Sequence, residues 1–199
     1  MSPDIGSLVI TALDRSSATP AGPEPSDHFV EFYDEDESLI ESVSTFISMG
    51  ISEGDAAIVV AGPSHMAGID RALGRSVDLI AARARSLYIT LDAEETLALF
   101  MKEGRPDPVL FERFMGLTID RAAAAGKNVR VFGEMVAILW AAGNVAGAVE
   151  LEEMWNRLAK KHPFKLFCAY PADLLGSDQL ESVGAVCHQH SQVIVPKSH

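Results

Sequence analysis

The sequence predicts an α/β protein with a three-layer build, a largely parallel sheet flanked by helices on both faces. Three observations carry this. Short β-prone runs alternate with segments of helical period, the connections between successive runs are too long for hairpins, and Asp55–Ala61 is an unbroken apolar run of the kind found in strands covered on both sides.

His28–Tyr33 (HFVEFY) reads as the first strand, closed by the acidic turn Asp34-Glu35-Asp36. Leu39, Ile40, Val43, Phe46 and Ile47 follow at helical spacing, with Asp36 as N-cap and Gly50 near the end. Asp55–Ala61 is the next strand, and Gly62-Pro63-Ser64 a turn in which Ser64 is placed to cap a helix. Leu87–Leu91 is a third strand, and Asp92 with Glu95 has the spacing of a capping box before Leu97 and Phe100. Pro106–Ala125 reads as a long helix, Asn128–Phe132 as a strand, Glu134–Ala142 and Asn144–Lys160 as helices, and Phe164–Tyr170 as a strand ended by Pro171. Residues 1–27, with Pro3, Pro20, Gly22, Pro23 and Pro25 among serines and alanines, read as a flexible tail whose only apolar patch is Leu8–Leu13. The remainder, 28–199, is expected to form one domain.

Composition narrows the function classes. A formal net charge of -12 opposes the phosphate backbone of nucleic acid and the anionic membrane surface alike, and there is no polybasic segment to offset it. No apolar stretch approaches a membrane span, and the N-terminus lacks a basic start and an apolar signal core, so a cytoplasmic location is expected. Two cysteines, Cys168 and Cys187, do not make a disulfide scaffold.

In an open parallel sheet, ligands bind outside the carboxyl ends of the strands. Those ends present Tyr33 to Asp36, the loop Gly62-Pro63-Ser64-His65, Asp92, Gly133-Glu134 and Tyr170-Pro171. The Gly62 loop stands where a phosphate-binding loop would, but it lacks the Gly-Lys-Ser/Thr ending and so the lysine that a triphosphate needs. Glu134, directly after an apolar strand and a glycine, should emerge at the crest and is the best single candidate, although an acid is also favoured there by the helix dipole alone. Cys187, His188 and His190, with distant His28, are ligand types that suit a transition metal, without the paired spacing of a structural zinc site. No nucleophile elbow, metalloprotease helix or dinucleotide fingerprint occurs, so a complete catalytic apparatus is not expected.

Several separated motifs nevertheless occur together: His28–Tyr33 followed by acids, Gly54–Ala61 (GDAAIVVA) with Pro63 and His65, Leu91–Thr96 (LDAEET), Arg130–Met135 (RVFGEM), Leu151–Asn156 (LEEMWN), His162-Pro163-Phe164 and Cys168–Pro171 (CAYP). In this order they resemble the MEDS domain, a sensory domain of methanogen and methylotroph signalling proteins named after the dichloromethane-dehalogenase regulator. The resemblance runs from about His28 to Pro196 and includes His28, Phe32, Tyr33, Pro63, His65, Asp92, Glu134, Trp155, Tyr170 and His190. It implies a RecA-like fold with a degenerated phosphate loop and a role in sensing small hydrocarbon derivatives such as halogenated methanes. Family members are typically fused to an output module. No helix-turn-helix, kinase or receiver segment is read here, so a stand-alone domain that signals through a protein partner, such as a kinase or transcription regulator, is expected.

The leading expectation is therefore a sensor with a small organic ligand held by Tyr33, Pro63, His65, Asp92, Glu134 and Tyr170, requiring no identified cofactor. One alternative is a degenerate RecA-like nucleotide-binding protein with residual ATPase activity, in which Glu134 or Asp92 holds magnesium. Another is a non-catalytic, homo-oligomeric interaction module.

Overall fold

The computed structural model describes residues 27–175 and 180–195. Apart from Asp27, the predicted tail lies outside the described residues. The chain runs β1 (His28–Tyr33), α1 (Asp36–Glu53), β2 (Ala56–Ala61), α2 (Pro63–Leu73), α3 (Leu79–Ala84), β3 (Tyr88–Asp92), α4 (Ala93–Ala98), β4 (Met101–Lys102), β5 (Arg105–Pro106), α5 (Pro108–Ala123), β6 (Val129–Gly133), α6 (Met135–Ala141), α7 (Val145–Ala159), β7 (Lys165–Pro171), a 3-10 turn (Ala172–Leu175), α8 (Leu180–Gln189) and β8 (Gln192–Ile194).

Six strands form one sheet in the order β3-β2-β6-β7-β1-β8, with every pairing parallel. Alternate residues along each strand feed two cores. Ala57, Val59, Ala61, Phe132, Phe167 and Ala169 pack under Leu39, Val43 and Ile47 of α1, Ile69 and Leu73 of α2 and Ala82 of α3. Val30, Phe32, Ile58, Val60, Val131, Leu166 and Cys168 pack against α4 to α8 on the other face, around Phe111, Met115, Leu151 and Trp155. Connections that step toward β3 thus use one face and those that step toward β8 the other. This keeps one crossover hand throughout, as a twisted parallel sheet demands.

Local chemistry shifts several predicted boundaries. Helix α1 runs past Gly50 to a left-handed cap at Gly54 (φ 91°), and Gly50 instead lets the Arg130 side chain approach: a Cβ there would lie 2.4 Å from its Cδ and Nε. Asp36 is the first helical residue rather than the cap, which is Glu35. Ser64 does not cap α2; Gly62 holds that place, with Pro63 in the first turn, where its missing N–H costs nothing. Pro106 belongs to a small antiparallel hairpin, and the long helix starts after Asp107, whose carboxylate accepts the Val109 and Leu110 N–H groups. Asp92 caps α4 as predicted, accepting the Glu95 N–H at 2.9 Å. Helices α3 and α8, the hairpin and edge strand β8 had no counterpart in the sequence reading.

Candidate functional site

The two halves of the topology separate at the crest between β2 and β6. The chain leaves β2 into α2 on one face and leaves β6 into α6 on the other, opening the crevice where sheets of this class bind ligands. Three of the predicted residues meet there. Glu134, the N-cap of α6, is tied to β2 through its backbone N–H on the Val60 carbonyl (3.0 Å). Its side chain spans the crevice: Oε2 accepts the Gly62 N–H at 2.7 Å, and Oε1 is bonded to Nδ1 of His65 in the first turn of α2. The other ring nitrogen, Nε2, lies 3.2 Å from Asp36 Oδ1 at the start of α1. One imidazole therefore links the entry points of α1, α2 and α6.

Both ring nitrogens face carboxylates, so the imidazolium is the favoured form. The hydrogen bond to Glu134 leads in raising the His65 pKa from 6.5 to about 9; burial opposes this and Asp36 adds to it. Tyr33, at the end of β1, packs edge-on to the His65 ring with centroids 6.1 Å apart. Its hydroxyl is pushed up to about 12, first by burial and then by the negative charges of Glu134, Asp36 and Asp173, so it stays a neutral donor.

Pro63 and Asp92 lie beside this bridge and outside it. Both line an open cleft of about 340 Å³, together with Ala61, Met66, Ala67, Asp70, Thr90 and Leu91. Asp92 is committed to its helix cap. Tyr170 does not join the crest. The strand alternation turns it to the opposite face of the sheet, where its ring stacks on Phe32 and its hydroxyl donates to Glu152 Oε1 at 2.8 Å.

That second location is a buried polar cluster under α7, and it takes in residues from the metal-ligand candidates. His28 and His190 belong to it, with ring centroids 4.0 Å apart. Cys187 and His188 are not part of it; Cys168 and Glu152 take part instead. His28 Nε2 lies 3.3 Å from Glu152 Oε2 and 3.5 Å from Cys168 Sγ, and His190 Nε2 lies 3.5 Å from Glu152 Oε1. Burial, against the pull of Glu152, brings His190 down to about 4, so it is neutral at pH 7. Neither Glu152 nor Asn156, which contacts His28 Nδ1 at 3.0 Å, was singled out as a site residue from sequence.

Residues 27–189 match the MEDS family, described as the methanogen/methylotroph, DcmR sensory domain. The chain belongs to the MEDS family. This MEDS chain is accordingly a member of a sensory-domain family, and some of the motif residues fall in the two polar clusters: His65 and Glu134 at the crest, and His28, Glu152, Cys168 and Tyr170 beneath α7. A search of curated proteins returns no match. Among the described residues no helix is long and apolar enough to cross a membrane.

Proposed function

We propose that this MEDS domain binds a small organic ligand at the strand-end crest and relays its occupancy to a signalling partner through the His65 bridge. The observation that carries this reading is the imidazolium held between Glu134 and Asp36 at the point where three helices leave the sheet. The first turn of α2 presents His65 to that bridge and Pro63, Met66 and Ala67 to the cleft. A ligand seated in the cleft pushes on the same turn that makes the bridge, and a ligand needs only a differential affinity for bridged and released states to shift their balance. The cleft and crest carry Asp70, Asp92, Asp36 and Glu134, which favour a neutral or cationic molecule over an anion.

The same geometry supports the finer reading of a RecA-like fold with a degenerated phosphate loop. The Gly62 loop occupies the place between β2 and α2, yet the N–H that would face a phosphate is already taken by the Glu134 carboxylate. A triphosphate would have to displace a fixed negative charge without a lysine to compensate, which weighs against the ATPase reading. The partner, of kinase or transcription-regulator type, would read the positions of the α1 and α2 entries.

The test is a thermal-shift and amide NMR screen with dichloromethane, methanol, methylamine and Mg-ATP, on wild type and Glu134→Ala. The expected result is stabilisation by at least one of the three small organics, with shifts at Ala61–Ala67 and Thr90–Asp92, lost in Glu134→Ala. Equal responses in both proteins, or shifts confined elsewhere, would overturn the site assignment. Stabilisation by Mg-ATP alone would favour the nucleotide reading.

A further inference from the structure

The cluster beneath α7 has a geometry that hydrogen bonding does not account for. Each imidazole has its Nδ1 committed outward. His190 Nδ1 donates to the Val186 carbonyl at 2.7 Å. Asn156 uses its amide NH2 on the Gln189 carbonyl and Gln189 Oε1, which fixes its own Oδ1 as the acceptor for His28 Nδ1. With the tautomers so assigned, both Nε2 atoms point inward at Glu152 and Cys168. An Nδ1–H held by a carbonyl or amide oxygen, with Nε2 left for an inner partner, is the orienting arrangement of metal-bound histidines.

His190 Nε2 is fully buried and has no hydrogen-bond partner. Its lone pair faces a carboxylate oxygen at 3.5 Å, an acceptor opposed to an anion, in a site where the His190 and Glu152 side chains are 0% exposed. Such a pair is unfavourable in a low-dielectric interior unless a cation lies between them.

Three of the six spacings match the edges of a tetrahedron. With metal–nitrogen and metal–oxygen bonds of about 2.0–2.1 Å and a metal–sulfur bond of about 2.3 Å, the edges of a regular site come to about 3.3 Å between N and O and about 3.6 Å where sulfur is involved. His28 Nε2 to Glu152 Oε2 is 3.3 Å, His28 Nε2 to Cys168 Sγ 3.5 Å, and Cys168 Sγ to Glu152 Oε2 3.6 Å. His190 Nε2 completes the set at 3.5 Å from Glu152 Oε1, and all four ligand atoms lie within 4.8 Å of one another. Charge fits as well, because a divalent ion with one thiolate, one carboxylate and two neutral imidazoles is neutral overall, as a buried site requires.

We propose that His28, Glu152, Cys168 and His190 form a closed, buried site for a divalent transition metal of the zinc type. Nitrogen and sulfur donors select against magnesium and calcium, and four protein ligands leave no open position for catalysis. On binding, the Cys168 S–H bond breaks, its proton passes to solvent and the sulfur bonds the metal. Ligands come from β1, β7, α7 and the residue that follows α8, so the ion would pin the end of α8 against the sheet.

The experiment uses the full chain, purified without metal-affinity chromatography and stripped with a chelator, then titrated with Co2+ and Zn2+. Saturation at one Co2+ per chain is expected, with the visible bands of tetrahedral cobalt, a near-ultraviolet thiolate-to-cobalt charge-transfer band and a higher Tm. Cys168→Ser should remove the charge-transfer band and Cys187→Ser should keep it. Asn156→Ala, which leaves all four ligands in place, should weaken binding by about tenfold to a hundredfold. The proposal is overturned if wild type shows no charge-transfer band, or if the band survives Cys168→Ser and is lost with Cys187→Ser. Should Cys168→Ser fail to fold, the wild-type band and the Asn156→Ala affinity decide.

Discussion

The His65 bridge makes stability depend on pH in a direction fixed by its geometry. The folded protein holds the His65 proton to about pH 9, against 6.5 for the free side chain, so protonation favours the fold. Its contribution is complete below about pH 6.5 and is lost as pH rises through about 9. At about 1.4 kcal/mol per pKa unit the ceiling is about 3 kcal/mol. The Asp36 side chain is 61% exposed, however, so solvent screens that half of the bridge and about 1–2 kcal/mol is expected. The assay is urea unfolding of wild type and His65→Gln from pH 6 to 9.5, because their difference cancels other groups that titrate in the window. Wild type should lead by about 1–2 kcal/mol more at pH 6 than at pH 9.5. Glu134→Gln, read by imidazole NMR titration, should lower the His65 pKa toward 6.5. A gap between wild type and His65→Gln that does not change with pH would refute the imidazolium bridge.

Three further outcomes test the frame around the sites. Gly126→Ala should destabilise by about 1–3 kcal/mol or more in urea unfolding, since its Cβ would lie 2.3 Å from the Ala56 backbone nitrogen, which cannot yield as a side chain can. Asp55→Ala should cost about 3 kcal/mol by the same measurement: it leaves the Arg130 guanidinium, bonded to Asp55 at 3.0 Å and to the Phe46 carbonyl, with only the exposed Glu53 as counter-charge. Asp92→Ala should lower Tm by the equivalent of about 1 kcal/mol through loss of the α4 cap.

The sheet was legible because its signal is redundant. Ala56–Ala61 is buried at every position, so it reads as a continuous apolar run, and β1 and β7 carry aromatic and aliphatic residues bounded by acids or proline. Strand order was not legible, since it depends on which faces the helices cover. That is why the strand-end rule could place Tyr33, His65 and Glu134 at one crest but could not tell that Tyr170 turns away from it. The rule names an end of each strand, whereas the pleat decides the face, and Tyr170 shares its face with Leu166 and Cys168. The Ser64 cap was misread for a similar reason. Gly62 and Pro63 begin α2 two positions earlier, and Glu134, distant in sequence, supplies the acceptor for the Gly62 N–H.

Glu152 is the instructive omission, because a signal for it does exist. Glu152 and Glu153 are adjacent, and neighbours on a helix point about 100° apart, so the position of the apolar stripe decides which of them is solvated. The apolar stripe of α7 runs through Ala148, Leu151, Trp155 and Leu158, all buried, and position 152 joins its edge at i+4 from Ala148 and i−3 from Trp155, while 153 falls outside. An acid inside an apolar stripe must be paired or neutral, and a residue of similar size without charge would ordinarily serve the core as well or better. Glu152 is therefore a marked position on the helix pattern alone. The pattern cannot supply its partners: His28, Cys168, Tyr170 and His190 come from strands and a helix end that only the fold brings beneath α7, so the acid is visible in one dimension and its chemistry in three.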